Sequence, residues 1–355
     1  MSIMYVGADI HKSSSTVVVK DEEGRLVSRW VGKTTQESLS MVVRGIPGTV
    51  HMTFEESPYA AWMWDTLSPL VAELVVCDPR RNKLIAEEDK SDEIDADTLA
   101  DLLRGGFLKP VYHGSQSTRD LRHLVKSYDQ LLTDRVRIKN RLCGLFDGYG
   151  VRTNAQERYT ADPEARERLL ERLPGRGIQQ RGRRLYAQFD VYDELVDEAC
   201  RDMIAEARRF DAFTWIKSIP GFGNKRAAAT IGWVRTPHRF RGKRQFFKYL
   251  GLAVVHRSTS DWKQGKRGLE RRDNGKTMGL NNQYSRPLKN IIKGAAVTAA
   301  TTHPAWNAHE AALIDDGMDR EMARLTIARK LASILLSIWK RGEAYDEDKT
   351  VLRGS

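Results

Sequence analysis

The stretch "IMYVGADIHKSSSTVVVKDEEGRLVSRWV", residues 3–31, decides how the first third of the chain folds. It divides into three short runs rich in β-branched residues, "IMYVGADI", "STVVVKD" and "LVSRWV". The separators "HKSS" and "EEGR" suit tight hairpin turns, so the spacing predicts an antiparallel meander of three strands. Beyond it the period changes. "TTQESLSMVVRGI" has helical spacing behind a Thr N-cap, "GTVHMTFEE" is strand-like, "YAAWMWDTLSPL" helical and "AELVVCD" strand-like again, before "PRRNKLIAEE".

Three hairpin strands followed by alternating helix and strand describe a ribonuclease H-like α/β fold. In that fold the first and fourth strands are neighbours, so Asp9, ending "VGADIHK", and Glu55, ending "MTFEESP", would meet at one edge of the sheet. Downstream lies "KSDEIDADTLADLL", residues 90–103, with four Asp and one Glu. Asp92 and Asp95 stand three apart and share a helical face, whereas Asp97 lies about 140° round from Asp92. Two readings compete for this cluster: an acidic helix N-terminus favoured by the helix dipole, or ligands for a hard cation. Four carboxylates gathered in one site repel one another unless a cation neutralises them. Oxygen donors suit Mg2+, and two ions about 4 Å apart serve in-line phosphoryl transfer. Asp9, Glu55, Asp92 and Asp95 are therefore the candidate catalytic and metal-binding tetrad.

From about Ser117 long helices take over, with Leu121, Leu124, Val125, Tyr128, Leu131 and Leu142 at helical spacing and a second set from Leu185 to Ile204. They read as an antiparallel helical hairpin or coiled coil, interrupted at about 150–180 by a segment rich in Arg, Glu, Gly and Pro that reads as an exposed connection or insertion. The last third opens with "WIKSIPGFGNKRAAATIGWV", in which glycines bracket Phe222 as in a helix-hairpin-helix, a turn whose N–H groups can face a phosphate; an ordinary helical turn is the competing reading. It closes with an amphipathic helix, "REMARLTIARKLASILLSIWKRG". The divisions expected are 1–112 for the α/β domain, 113–212 for the helical middle and 213–355 for a mainly helical C-terminal domain.

Charge narrows the partners. The 355 residues carry +11, yet residues 224–293 hold 18 Lys or Arg against 3 acidic residues, a net of +15 that leaves −4 for everything else. Such a segment is the electrostatic footprint of a phosphate-backbone binder. Its expected contacts are Arg239, Arg241, Lys243, Arg244, Arg257, Lys263, Lys266, Arg267, Arg271 and Arg272. Phe246, Phe247 and Tyr249 read as helix core rather than as stacking platforms. The 3 cysteines form no CxxC pair, which argues against a disulfide framework and a zinc site. No apolar run approaches the ~20 residues of a membrane span, and the N-terminus lacks a signal-peptide pattern, so a cytoplasmic protein is expected.

At this point "GADIHK", "FEESPY", "DPRRNKLIAEEDKSDEIDADTLADLL", "SIPGFGNKRAAATI" and "FFKYLGL", in this order, resemble the successive signatures of the insertion sequence one-ten family. These are DEDD transposases related to the Piv invertases. The resemblance implies a RuvC-like catalytic domain, a coiled-coil middle, and a C-terminal transposase domain supplying a serine nucleophile. It also implies a homo-tetramer built from dimers, a guide (bridge) RNA, and double-stranded donor and target DNA as partners. On it Asp9, Glu55, Asp92 and Asp95 are the metal-binding tetrad, with Glu56 as the neighbour of Glu55. After Gly251 and Leu252 the family has a serine-rich segment; here "AVVHRSTSDWKQGKRG" puts Thr259 in the usual slot, with Ser258 and Ser260 on either side as the candidate nucleophiles. A serine ester would conserve the phosphodiester bond for rejoining. Three other readings are a metal-dependent structure-specific nuclease, a non-catalytic nucleic-acid-binding protein, and an actin-like ATP phosphotransferase, whose first phosphate hairpin "GADIHKSSSTVVV" resembles. The last lacks a second Gly-rich nucleotide segment.

Overall fold

Strands β1 (Ile3–Ile10), β2 (Ser14–Lys20) and β3 (Leu26–Lys33) form the meander, followed by helix α1 (Gln36–Arg44), β4 (Thr49–Glu55), α2 (Ala60–Leu67), β5 (Glu73–Cys77) and α3 (Asp92–Arg104). The computed structural model describes residues 2–78, 92–257, 262–265, 268–271 and 276–350, with side chains from Ile94 onward in α3 and without those of residues 256–278. The chain separates into two compact units, Met1–His113 and Gly114–Ser355.

In the first unit the five strands form one mixed sheet in the order β3-β2-β1-β4-β5, antiparallel from β1 to β3 and parallel from β1 through β4 to β5. Strand alternation sorts its two faces. Val6, Ala8, Val17, Val19, Met52 and Phe54 face α1 and α2, where they bury Leu39, Val43, Ala60, Met63 and Leu67. Thr35 caps α1 by accepting a hydrogen bond from the Ser38 N–H at 3.2 Å. The opposite face receives α3 at Gly7. A Cβ at that position would lie 2.0 Å from the Ala96 carbonyl oxygen and 2.6 Å from the Ala100 nitrogen, so only a glycine lets the helix backbone rest on β1.

An ion-pair cluster around the buried Lys20, with half-exposed aspartates, fixes the helix lengthwise. Lys20, whose side chain is 8% exposed, donates to Asp97 at 2.7 Å and Asp101 at 2.6 Å. Burial pulls its ammonium pKa down, but the hydrogen bonds it donates to Asp101 and Asp97, with their charges, outweigh that and hold it above the usual lysine value. Arg104, at the end of α3, lies 3.0 Å from the position of a Cβ on Gly24 in the β2–β3 turn. Lys20 pairs with Tyr5 across the sheet. Helix α3 therefore runs antiparallel to β1, from the end where β1 delivers Asp9 back to the hairpin turn.

The second unit is mostly helical: α4 (Gln116–Asp147), α5 (Ala155–Arg158), α6 (Pro163–Glu171), α7 (Arg176–Ala207), α8 (Ala212–Lys217), α9 (Asn224–Val234), α10 (Lys243–Leu250), α11 (Arg286–Thr302), α12 (Pro304–Asp315) and α13 (Arg320–Arg341). Helices α4 and α7, 32 residues each, are rods about 48 Å long. They pair antiparallel: a Cβ on Gly182 would approach Leu145, and Arg135 bonds Asp193 at 2.6 Å. At one end Leu121, Val125, Cys200 and Met203 join the core that buries Trp306, Leu331 and Leu335 of the C-terminal helices. The helical middle and the C-terminal helices thus share one hydrophobic core. At the other end residues 150–180 are not a bare connection: Val151, Leu169, Leu170 and Leu173 close a separate core with Phe146, Tyr186 and Phe189. Asn154 and Glu157 form a capping box on α5, and Asp162 caps α6 ahead of Pro163.

Between α10 and α11 the chain forms four short strands, β6 (Val254–Arg257), β7 (Trp262–Gly265), β8 (Gly268–Arg271) and β9 (Lys276–Leu280). They pair antiparallel as β6–β9 and β7–β8. The base of this ribbon is pinned by Asn281, whose side-chain amide donates to the Lys248 and Gln283 carbonyls at 2.9 Å each.

Candidate active site

Asp9 is the penultimate residue of β1 and Glu55 the last of β4. Their strands pair in parallel up to Ala8 with Phe54, so the next step of the register sets Asp9 beside Glu55. Both follow the face of Gly7 and Thr53, the side on which α3 packs. The pair occupies the carboxyl ends of parallel strands, where open α/β sheets commonly bind ligands.

Helix α3 begins at this same end. Asp95 is half-buried in its first turn, and Asp92 starts the helix with a side chain outside the described residues. Asp97 is turned away to Lys20, so the cluster read from the sequence splits into two groups. Asp97 and Asp101 anchor the helix on β2, while Asp92 and Asp95 remain at its start. Among the described residues no three His, Cys, Asp or Glu side chains gather closely enough to hold a metal ion. The donor set nevertheless suits a hard cation, since Asp9 and Glu55 supply carboxylate oxygens from adjacent strands whose mutual repulsion a divalent ion would relieve.

Glu55 and Glu56 are separated by geometry. Glu56 lies one residue past β4, on the opposite parity, and its carboxylate meets His113 Nε2 at 2.9 Å. The His113 ring stacks on Trp64 with centroids 5.1 Å apart. Glu56 is thus engaged away from Asp9. Two histidines that the sequence pattern does not single out lie on these residues, His113 on Glu56 and His11 on Asp9. The second has its Nε2 3.0 Å from the Asp9 carboxylate, which is 19% exposed. Its signal was its place two residues after Asp9, in the hairpin.

The other predicted residues lie in the second unit. Ser258, Thr259 and Ser260 fall between β6 and β7, outside the described residues; Lys266, Arg267 and Arg272 also lie outside the described residues. Arg257, Lys263 and Arg271 belong to ribbon strands, and their side chains are likewise not described. Arg241, Lys243 and Arg244 are exposed. Arg239 is half-buried over the rings of Tyr249 and Phe240, at 4.8 and 5.1 Å. Phe246 is buried and Phe247 and Tyr249 pack against the same core, as their helical spacing predicts. In the helix–turn–helix of α8 and α9, Gly221 takes φ +84° and presses on α11, where a Cβ would lie 2.1 Å from the Ala295 oxygen. Arg226 locks that turn by donating to the Gly221 carbonyl at 2.7 Å and to Thr298 at 2.9 Å.

Comparison with known families fits both units. A DEDD transposase family model of the IS110 group, described as Transposase, matches residues 6–151, and the model described as Transposase IS116/IS110/IS902 family matches residues 214–310. The chain belongs to the IS110 family of transposases. The first match spans Asp9, Glu55, Asp92 and Asp95, and the second runs from α8 into α12 across the ribbon. A transposase for insertion sequence element IS1111A from Coxiella burnetii (strain RSA 493 / Nine Mile phase I) is 25% identical over 353 residues, covering 97% of this chain and 91% of that protein. This IS110-family member is a DNA transposase, an enzyme whose DEDD domain implies dependence on a divalent metal. Among the described residues no helix is long and apolar enough to cross a membrane.

Proposed function

We propose that this transposase is an RNA-guided DNA recombinase that cleaves and exchanges strands of double-stranded donor and target DNA at a magnesium-dependent DEDD site, through a covalent serine–DNA ester. The observation carrying the reading is the adjacency of Asp9 and Glu55 at the carboxyl ends of β1 and β4, with the acidic first turn of α3 starting at that end. The sheet order supports a ribonuclease H-like, RuvC-like fold for this unit.

Asp9, Glu55, Asp92 and Asp95 would hold the metal. Magnesium, when bound, supplies charge neutralisation and polarisation of the scissile phosphate. Asp9 and Glu55 orient their oxygens from rigid strand ends, and α3 sets the acids of its first turn through its seat on Gly7. Ser258 or Ser260 attacks phosphorus: the Oγ–P bond forms, the bond from phosphorus to the leaving deoxyribose oxygen breaks, the serine proton leaves to solvent or a base, and the leaving oxygen takes up a proton from solvent to become a hydroxyl end. Attack of the incoming strand's hydroxyl then reverses the exchange, restoring the serine and joining the new partners. The candidate cations from Arg239 to Arg272 contact phosphates as a group. The carboxylates and the serines belong to different units, and a tetramer built from dimers would let one protomer complete another's site. The coiled-coil pair α4–α7 would serve that assembly, with the bridge RNA choosing the DNA.

The test is a denaturing gel of labelled donor and target DNA incubated with the protein, its co-purified RNA and Mg2+, comparing wild type with Ser258→Ala, Ser260→Ala and Asp92→Ala. A protease-sensitive, slow-migrating DNA adduct that is lost in one serine variant and in Asp92→Ala is expected. Free nicked ends without an adduct, unchanged by either serine substitution, would make water the attacking group and the protein a nuclease.

A further inference from the structure

The arginines of the cap that joins α4 to α7 include two contrasting sets. Arg166 grips Asp190 with both Nη atoms at 2.7 Å and lies 4.7 Å over the Tyr186 ring. Arg183 is paired with Glu167, and Arg158 is buried against Thr153. These build the cap. Arg176, Arg181 and Arg184 are exposed, and their side chains make no hydrogen bond or ion pair among the described residues. On α7 they fall within an arc of about 140°, shared with Gln180 and Gln188, and the first carboxylate to return to that arc is Glu194. The sequence from 172 to 184 holds five Arg and no acid.

This placement works against the helix. Helix α7 starts behind Gly175 at φ +83° with no side-chain cap and no acid in its first turn, and Arg176 is its first residue. Cations at a helix N-terminus oppose the dipole, so stability alone would select acids or a capping side chain here. An anion laid along the arc relieves both the dipole and the mutual repulsion of the three guanidinium groups. Across the α4–α7 groove the exposed Arg141 extends the surface beside Gln188.

We infer that this Arg-lined face, Arg176, Arg181 and Arg184 with Arg141 beside them, binds the phosphate backbone of duplex DNA. From 151 to 184 the chain has nine Arg and no Lys, and the guanidinium fork matches phosphate oxygens two at a time. A duplex fits better than an unpaired strand, which needs a track of exposed rings. Tyr159, Tyr186 and Phe189 of the cap pack in its core beneath Lys139 and Arg166, leaving Tyr149 as the exposed ring there. The separate core of the cap holds the arginines on a rigid element. This surface shares no residue with the carboxylate site or the ribbon.

The full-length protein with R176Q, R181Q and R184Q combined is compared with wild type by fluorescence anisotropy on a blunt duplex DNA over a salt series. The slope of log affinity against log salt should fall in magnitude by about 2 to 3, with affinity down about tenfold or more at low salt, since each phosphate contact contributes about 0.9 to the slope. The triple Arg→Lys variant should keep most of the slope, and neither variant should melt at a lower temperature. A wild-type slope in the Gln variant would overturn the inference, as would a loss confined to duplex RNA of the same length or one accompanied by a lower melting temperature.

Discussion

Gly7 of β1 and Ala96 of α3 meet backbone to backbone, so closely that a methyl group on Gly7 would lie 2.0 Å from the Ala96 carbonyl oxygen. That contact sets the height of α3 above the sheet, and with it the distance from the helix's first acids to Asp9 and Glu55. Gly7→Val should cost about 1–3 kcal/mol or more in stability through overpacking. DNA strand cleavage should fall further than the lost stability explains, because the first turn of α3 is lifted from the strand ends. Chemical denaturation together with a cleavage assay checks both parts; unchanged cleavage would mean that α3 is not set by this contact.

Lys20 is the second anchor of α3. Lys20→Met removes two charge-assisted bonds from a buried position and should destabilise the chain by about 1.5–3 kcal/mol, read as a lower denaturation midpoint. Because the folded-state pKa is raised, the stabilisation is present in full below the unfolded value of about 10.4 and is lost as pH rises through the folded value. The difference between wild type and variant should therefore be constant from neutral pH to about pH 9 and shrink above about pH 10.5. A difference that vanished between pH 6 and 8 would contradict the assignment.

Glu55 and Glu56 should separate cleanly in an activity assay. Glu55→Gln should slow strand cleavage by about 100-fold or more, the scale on which removing one electrostatic group from an active site acts. Glu56→Gln, whose carboxylate contacts His113 at 2.9 Å, should leave cleavage near wild type and show itself in the melting temperature. The reverse pattern would move the site to the His113 side of β4.

Asp129 carries its carboxylate in a half-buried position, accepting a hydrogen bond from Trp233 Nε1 at 3.1 Å. Burial pushes its pKa up more strongly than that bond lowers it. A raised carboxylate pKa means that the folded state favours the protonated form, so this residue costs stability once pH rises above the unfolded value of about 3.9. Asp129→Asn keeps an acceptor for Trp233 and should raise the melting temperature at pH 7, with the gain disappearing near pH 4. A variant less stable at pH 7 would show that the charge is compensated.

The first unit was legible in the sequence for a local reason: its strands alternate, its turns carry Gly and Ser, and strand ends are where its carboxylates fall. Asp9 and Glu55 could be matched because neighbouring parallel strands bring their last residues together. The role of Gly7 was hidden, since a close approach between elements 89 residues apart leaves no local mark, and the pairing of Lys20 with Asp97 and Asp101 was hidden for the same reason. The segment 150–180 reads as a connection or insertion because its charge obscures the spacing of Leu169, Leu170 and Leu173, although its Asn154–Glu157 capping box is there to be read. The ribbon between α10 and α11 leaves little mark in the sequence because its strands span only four or five residues and are dense in Lys, Arg and Gly.

The most direct test of the carboxylate site is iron-mediated cleavage of the full-length protein. Fe2+ replaces magnesium, ascorbate and peroxide are added, and the fragments are mapped by mass spectrometry. Backbone cuts are predicted near Asp9, near Glu55 and in residues 92–95, suppressed together by excess Mg2+ and by Asp9→Asn. Scattered cuts, or cuts at one of these segments without the other two, would contradict a metal site shared by β1, β4 and α3.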